Sequence, residues 1–485
     1  MYNIYILQVY RLYYTLKEFI TYTYLKIFLG IYAEENPMRT AINNGYLIDP
    51  QNKISENLNI AMENGKIVEI SKRKLEGDMI IDATDLFVTP GFIDMHMHED
   101  PLENGEININ IFEKMLRMGV TTAIGGNCGI GTLNIKEYLE KIDMGFLINY
   151  GTFLPHEILR RAIQKNNRYE TLDNSNIEEM YKFGKKIMRE NQLLGISFGI
   201  EYIPGIDSNE LIQLAHLGKG KVVSAHLRED GKDVFRSLEE FAQIGKHVKT
   251  HLQVSHIGSM AGYGQMKEFL EKIEIKNREG IKISCDCYPY TAFSTFIGSA
   301  VFDNNYIENH GTDYSSLEIV SGKYQEKRCT KELFEKLRKD EPKTLVAGHM
   351  MLEEDIESAL KHRYTADVSD GILGEDGNSH PRATGAFPRF LSRYVRDKKI
   401  LSLEEAIEKI TSYPAQILGI SKGSLQLGAD ADIALFSLEE ISDKATFSES
   451  TLPPEGIKSV IIGGNLVLMN GKILNNNSGK SIRKK

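Results

Sequence analysis

From Arg39 onward, apolar and polar residues alternate over short runs. RTAINNGYLIDP (39–50) and NLNIAMENGKIVEIS (57–71) read as strands, with Asn-Gly pairs at 44–45 and 64–65 as turns. The same texture returns in SLQLGADADIALFS and GIKSVIIGGNLVLMNGKIL, with another Asn-Gly at 470–471. A lone hairpin is marginal in water, so the two ends are expected to pair into one small sheet. Between them lie short apolar runs separated by segments of helical spacing. The predicted strands are 91–98 (GFIDMHMH), 120–126, 146–151, 196–202, 221–226, 251–256, 281–287 and 364–370. NIEEMYKFGKKIMRENQ and KEFLEKIEIKN are predicted helices between them. Eight such units over roughly 330 residues predict an α/β fold, a (β/α)8 TIM-like barrel with its site at the C-terminal strand ends. TLVAGHM (344–350) is a ninth candidate strand, and the long gap before strand eight predicts an inserted lid at about 291–343.

The expected division is a small β domain begun by 38–90, a catalytic barrel over 91–420, and 421–485 completing the β domain and adding a tail. A chain of 485 residues is long for one core, which agrees with a large domain and a small one. Residues 1–37 differ in kind: they hold eight of the 23 tyrosines, and Arg11, Lys17, Glu18 and Lys26 break every apolar run. No stretch there reaches the roughly 18–20 apolar residues of a membrane span, and no signal-peptide cleavage pattern follows. This extension is read as sequence upstream of a natural start at Met38, with a surface-lying amphipathic helix as the alternative.

Composition narrows the function classes. With 41% hydrophobic and 26% charged residues and a mean hydropathy of −0.29, the chain resembles ordinary globular proteins. A net charge of −9, with no basic tract except the closing SIRKK, argues against a nucleic-acid surface, and that tail reads as a solvated terminus. Four cysteines do not make a disulfide framework, so a reducing, cytoplasmic location is expected. Nothing in the composition excludes an oligomer.

The candidate chemistry starts at His96 and His98. Strand alternation would put Asp94, His96 and His98 on one face and Ile93, Met95 and Met97 on the other. Two imidazoles on one face are good zinc ligands, although surface histidines at a strand end fit the same pattern. The later strands decide. His98 ends strand one, Cys128 and His156 follow strands two and three, and Tyr202, His226, His256 and Asp370 end strands four, five, six and eight. Their convergence on one barrel rim favours a metal site.

TPGFIDMHMHED, SAHLRED, QVSHIG, VSDG and KGSLQLGADADIALF together resemble the amidohydrolase superfamily. Within it, GGNCGIG, IEYIPG, CDCYPYTA and HPRATGAFPRFL resemble the N-acyl-D-amino-acid deacylase group, over about residues 38–475. The resemblance implies one tight zinc held by Cys128, His226 and His256, and a second, weaker site of His96 and His98 sharing the thiolate, with Asp370 near by. The strand-four lysine that bridges metals in most binuclear relatives is absent, and Cys128 stands where the deacylase group puts its bridging ligand. Asp370 would be the general base. Arg382 would bind the carboxylate of an N-acyl amino acid, helped by Tyr202, Tyr288 and Ser294, with His156 a further substrate-binding residue and His380 shaping the loop. Asp94 is expected to orient a ligand imidazole, and Glu201 is an alternative ligand. A lysine that the deacylases carry two residues after the strand-six histidine is Gly258 here, with Arg228 as a stand-in. The implied activity is zinc-dependent hydrolysis of N-acyl-D-amino acids. A cyclic amide or imide hydrolase is the alternative, and a non-catalytic scaffold a third reading.

Overall fold

The computed structural model describes residues 38–303 and 306–484, so the reading of 1–37 as an upstream extension lies outside the described residues. The chain begins with strands β1 (Thr40–Asp49), β2 (Ile54–Glu63), β3 (Lys66–Ser71), β4 (Met79–Asp82) and β5 (Phe87–Pro90). Next come β6 (Phe92–Asp94), β7 (Val120–Gly125), β8 (Asn149–Thr152), β9 (Leu154–Pro155), β10 (Gly195–Gly199), β11 (Val222–His226), β12 (His251–Val254) and β13 (Ile283–Cys287). They are followed by β14 (Phe293–Phe296), β15 (Leu317–Ile319), β16 (Leu345–Gly348) and β17 (Thr365–Asp367). The last four are β18 (Ile433–Phe436), β19 (Ile457–Ile462), β20 (Asn465–Met469) and β21 (Lys472–Ile473).

The two ends of the described chain meet in one nine-stranded sheet, in the order β21-β20-β19-β18-β5-β1-β2-β3, with β4 paired to β1. Asn64-Gly65 and Asn470-Gly471 turn as expected, both residues of each pair having positive φ. Asn44-Gly45 does not turn the chain. It is a bulge inside β1, where the register with β2 shifts. Gly45 is needed there because a Cβ would come within 2.4 Å of Val88 Cγ2.

All pairings in the central sheets are parallel: β6-β7-β8 form one, and β9-β10-β11-β12-β13-β17 the other. Helices lie between the strands as the periodicity predicts. Asn174–Asn191 begins where Asp173 accepts a hydrogen bond from the Asn176 amide and ends at Gln192 in the left-handed conformation. Met266–Arg278 buries Phe269, Leu270 and Ile273 on one face. Ile93, Met95, Ile124, Val222, Ala366 and Val368 form one apolar cluster, joined by Ala415, Ile417 and Leu418. Met97 packs in a different cluster, so the period of two expected through 91–98 breaks where β6 stops at Asp94.

Two further expectations are corrected. Residues 344–350 do not join the parallel strands, because β16 pairs antiparallel with β14 and β15, so the segment between β13 and β17 carries its own three-stranded sheet. The tail is also not a free, solvated end. The Gly479 amide donates to Phe146 O at 2.6 Å, Ile482 to Tyr150 O at 2.8 Å and Lys484 to Gln192 O at 2.7 Å. Among the described residues, no helix is long and apolar enough to cross a membrane.

Candidate metal and active site

The loop after β7 must turn sharply to aim Cys128. Gly126, Cys128 and Gly129 all have positive φ, and the Ser197 hydroxyl accepts from the Gly129 amide at 3.0 Å. A Cβ on Gly129 would lie 2.6 Å from the Gly199 amide nitrogen, so glycine permits the approach to β10. His256 and Asp370 are likewise left-handed, with φ of 33° and 48°. Non-glycine residues held there cost energy, and such strain concentrates at functional sites.

This backbone brings six predicted residues together. Cys128 Sγ lies 3.3 Å from His96 Nε2 and 3.3 Å from His256 Nε2, and His226 Nδ1 lies 3.1 Å from His256 Nε2. His98 Nε2 is 3.2 Å and His96 Nε2 3.5 Å from Asp370 Oδ1. Among the described residues, two groups are compact enough to hold a cation, His96–His98–Cys128 and Cys128–His226–His256, and Cys128 belongs to both. The outward nitrogen of three of these imidazoles has a partner. His96 Nδ1 meets Asp286 at 3.1 Å, His226 Nε2 meets Glu201 at 2.6 Å, and His256 Nδ1 meets the Ser259 hydroxyl at 2.9 Å. Such partners fix the ring orientation and leave the other nitrogen for a metal.

With no cation among them, the clustered groups set one another's charge. Burial alone would raise the Cys128 thiol, but the neighbouring His96 and His256 hold it well below its usual value. Burial opposes charge on the imidazoles, yet the thiol and carboxylates beside them raise His98 and His226 to about 9. Against burial, Arg382 first and His96 next hold the Asp370 carboxyl well below the carboxylate range. Burial pushes Glu201 up to about 7.

A cavity of about 810 Å³ opens over these groups, lined also by Tyr202, Tyr288, Ser294 and Arg382. Arg382 is buried, pairs with Asp370 Oδ2 at 2.9 Å, donates to Ser294 O at 3.2 Å and lies 4.4 Å above the Tyr288 ring. Its Nε and Nη1, the Tyr288 hydroxyl and Ser294 Oγ are buried without a hydrogen-bond partner. Buried donors are rarely left so, and these four line a cavity able to take a ligand. The Tyr202 ring is 4.3 Å from that of His226.

Other predicted residues sit elsewhere. His156 does not line the cavity, because its Nε2 is drawn to the buried Glu210 carboxylate at 2.8 Å, which Arg160 also binds. Asp94 orients no imidazole; its carboxylate accepts from the His96 and Ser369 amides and the Ser369 hydroxyl, binding backbone to backbone. Glu201 is in neither ligand group and partners His226 from outside. Arg228 is taken up by Glu240 and the carbonyls of Pro204 and Ile206, away from the cavity. A Cβ at Gly258 would lie 2.9 Å from Ile356 Cδ1 and 3.0 Å from Met351 Cε, so apolar side chains fill the room a longer residue would need. His380 accepts from the Arg382 amide at 3.0 Å and thereby fixes the loop that carries it. Sequence reasoning missed Asp286. Its signal was its place between Cys285 and Cys287, which puts it on the opposite face of β13 from the two thiols.

Comparison with known proteins places the chain. The chain is 26% identical over 474 residues to a D-aminoacylase of Alcaligenes xylosoxydans xylosoxydans, covering 89% of this chain and 95% of that one. It is 25% identical over 466 residues to the N-acyl-D-glutamate deacylase of the same organism, covering 87% and 92%. Its fold matches the crystal structure of an N-acyl-D-glutamate deacylase from Bordetella bronchiseptica complexed with zinc and a phosphonate inhibitor. That match has a TM-score of 0.81 at 24% identity, over 92% of this chain and all of the other. The sequence pattern of the amidohydrolase family matches residues 87–467, and with the whole site inside that span the chain belongs to the amidohydrolase family.

Proposed function

We propose that this chain is a zinc-dependent hydrolase of N-acyl-D-amino acids, adding water across a linear amide C–N bond to release a carboxylate and a D-amino acid. The observation that carries this reading is Cys128, one thiol within 3.3 Å of a histidine from each of two ligand groups. A thiolate with imidazoles suits zinc, and the depressed thiol and the outward partners of the rings fit that use. Cys128, His226 and His256 would hold one tight ion with a position open; His96 and His98 would hold a weaker second ion by sharing the thiolate. An ion held there would supply a water of pKa about 7 and polarise the acyl oxygen. Asp370, kept ionised by Arg382, takes the proton of the attacking water and passes it to the departing amine nitrogen. Arg382, with the free hydroxyls of Tyr288 and Ser294, binds the substrate carboxylate, and Tyr202 flanks it beside His226. The D configuration comes from the names of the relatives.

The same reading extends to the architecture. We infer that the parallel strands close into a (β/α)8 barrel spanning 91–420. Only Phe153 separates β8 from β9, and the first and last parallel segments meet where Met97 bridges Gly371 and the His98 amide donates to Gly371 O at 2.9 Å. Residues 38–90 and 421–473 then make the small β domain, and the insertion acts as a lid, continuing past 343 through β16. Tyr306 and His310 of that insertion both reach Asp230 on the cavity wall.

The test is amine release by zinc-loaded protein from matched N-acetyl and N-formyl D- and L-amino acids, with cyclic amides alongside. Turnover confined to D-substrates and lost with a chelator is expected. Turnover of cyclic amides alone, or of L-substrates alone, would sink the proposal.

A further inference from the structure

Asp286 does two jobs with one atom. Its Oδ1 meets His96 Nδ1 at 3.1 Å and accepts from the His256 backbone amide at 2.6 Å. His96 belongs to one ligand group and His256 to the other. The second oxygen is held in turn: Gln253 Nε2 donates to Oδ2 at 2.8 Å, and the Gln253 carbonyl accepts from the Ser284 hydroxyl. Ser284 also meets His251 Nε2 at 2.6 Å. Asp286, Gln253 and Ser284 are each about 1% exposed, so no water competes for these bonds. The chain of side chains runs from β12 and β13 into the site, and its last atom fixes the ring of one ligand and the strained backbone of another.

We propose that Asp286 is a positioning residue that couples the two candidate metal sites, its Oδ1 setting the His96 ring and the His256 backbone together, with Gln253 and Ser284 holding it in register. The inference rests on the reading of the two histidine–cysteine groups as metal sites. Through hydrogen bonding alone, a fault at Asp286 should loosen both sites at once, whereas a residue serving one ligand should loosen one.

The chemistry of the relay supplies its own rescue. In Asp286→Asn the introduced side-chain amide would face the Gln253 amide donor to donor. Adding Gln253→Glu removes that conflict. The carboxylate introduced at position 253 accepts from the amide introduced at position 286 and from Ser284, while the side-chain carbonyl at 286 still accepts from His96 and the His256 amide. The double variant keeps every bond and moves the negative charge from β13 to β12, one step further from the site.

The experiment is Co2+ titration of the full-length, metal-free protein, following the thiolate-to-cobalt charge-transfer band and the ligand-field bands, beside Zn2+ stoichiometry. Wild-type protein should take up cobalt in two steps. Asp286→Asn should weaken both steps by about 10- to 100-fold, the usual cost of losing an outer partner of a metal ligand, and the double variant should return both to within a few-fold of wild type. Unchanged cobalt binding in Asp286→Asn, weakening of one step only, or a double variant no better than the single one would each overturn the inference. If wild-type protein bound no cobalt or zinc, the deacylase reading would fall first and take this inference with it.

Discussion

Asp370 carries the sharpest consequence of the site. It stands 3.2 Å from His98, 3.5 Å from His96 and 2.9 Å from Arg382, yet belongs to neither ligand group. Asp370→Asn keeps a hydrogen-bond acceptor for Arg382 but takes away its countercharge, and it cannot accept a proton. Turnover should fall on the order of 10²–10⁴-fold while zinc content stays at the wild-type value, measured by kinetics and atomic absorption on the same sample. A loss below tenfold, or loss of zinc with activity, would contradict the base role. Its place in the site was legible in the sequence because it ends a predicted strand, as His226 and His256 do, while Cys128 follows one. His156 misled for the same reason: it follows a strand, but Glu210, 54 residues on and on another helix, claims it, and long-range pairing leaves no local trace. Asp286 was hidden by the two cysteines around it, whose shared face drew attention to the wrong side of β13.

Elements were read correctly where the period was strong and wrongly where a tertiary partner reset it. Asn44-Gly45 had every mark of a turn, but β4 and β5 pair with β1 on its other side and keep the strand running through. The outer face of β17 buries an acid. Neither carboxylate oxygen of Asp367 has a hydrogen-bond partner, and Lys409 opposite it donates to the carbonyls of His362 and Thr365. Burial first, then Asp94, pushes the Asp367 carboxyl well above its ordinary value, while Lys409 opposes this. A carboxyl raised in the folded state supports stability fully below the unfolded pKa of about 3.9, and that support is lost as pH rises through the folded value. Asn copies the protonated form and does not titrate. Thermal melts should therefore show Asp367→Asn gaining on wild type between about pH 4.5 and pH 8, with the gap closing at the acid end. A constant gap across that range would mean that the charge on Asp367 is not what costs stability.

At the scale of the whole molecule, the chain ends do more than complete a sheet. After β21 the tail returns to the parallel strands at their N-terminal edge, opposite the edge that carries His226 and Asp370. There Ile482 packs against the cluster of Ile93, Val222 and Leu418, and Gly479 fits so closely that a Cβ would lie 2.1 Å from Ile148 O. The Lys221 ammonium donates to Lys484 O at 2.5 Å, and Arg483 pairs with Asp143 at 2.6 Å. Composition could not reveal this, because SIRKK looks solvated until the carbonyls it satisfies are known. Removing residues 475–485 would strip partners from Phe146, Tyr150 and Gln192 and uncover the apolar floor beneath Ile482. At about 0.5–1.5 kcal/mol per hydrogen bond, the loss should be on the order of 2–6 kcal/mol. The site lies at the other end of the same strands, each pinned by its parallel neighbours, so the truncated protein should melt at a clearly lower temperature while its turnover at 25 °C, zinc-loaded, stays close to wild type. Activity falling in step with stability would show that the floor and the site move as one unit. An unchanged melting temperature would show that the tail rests on the strands without holding them.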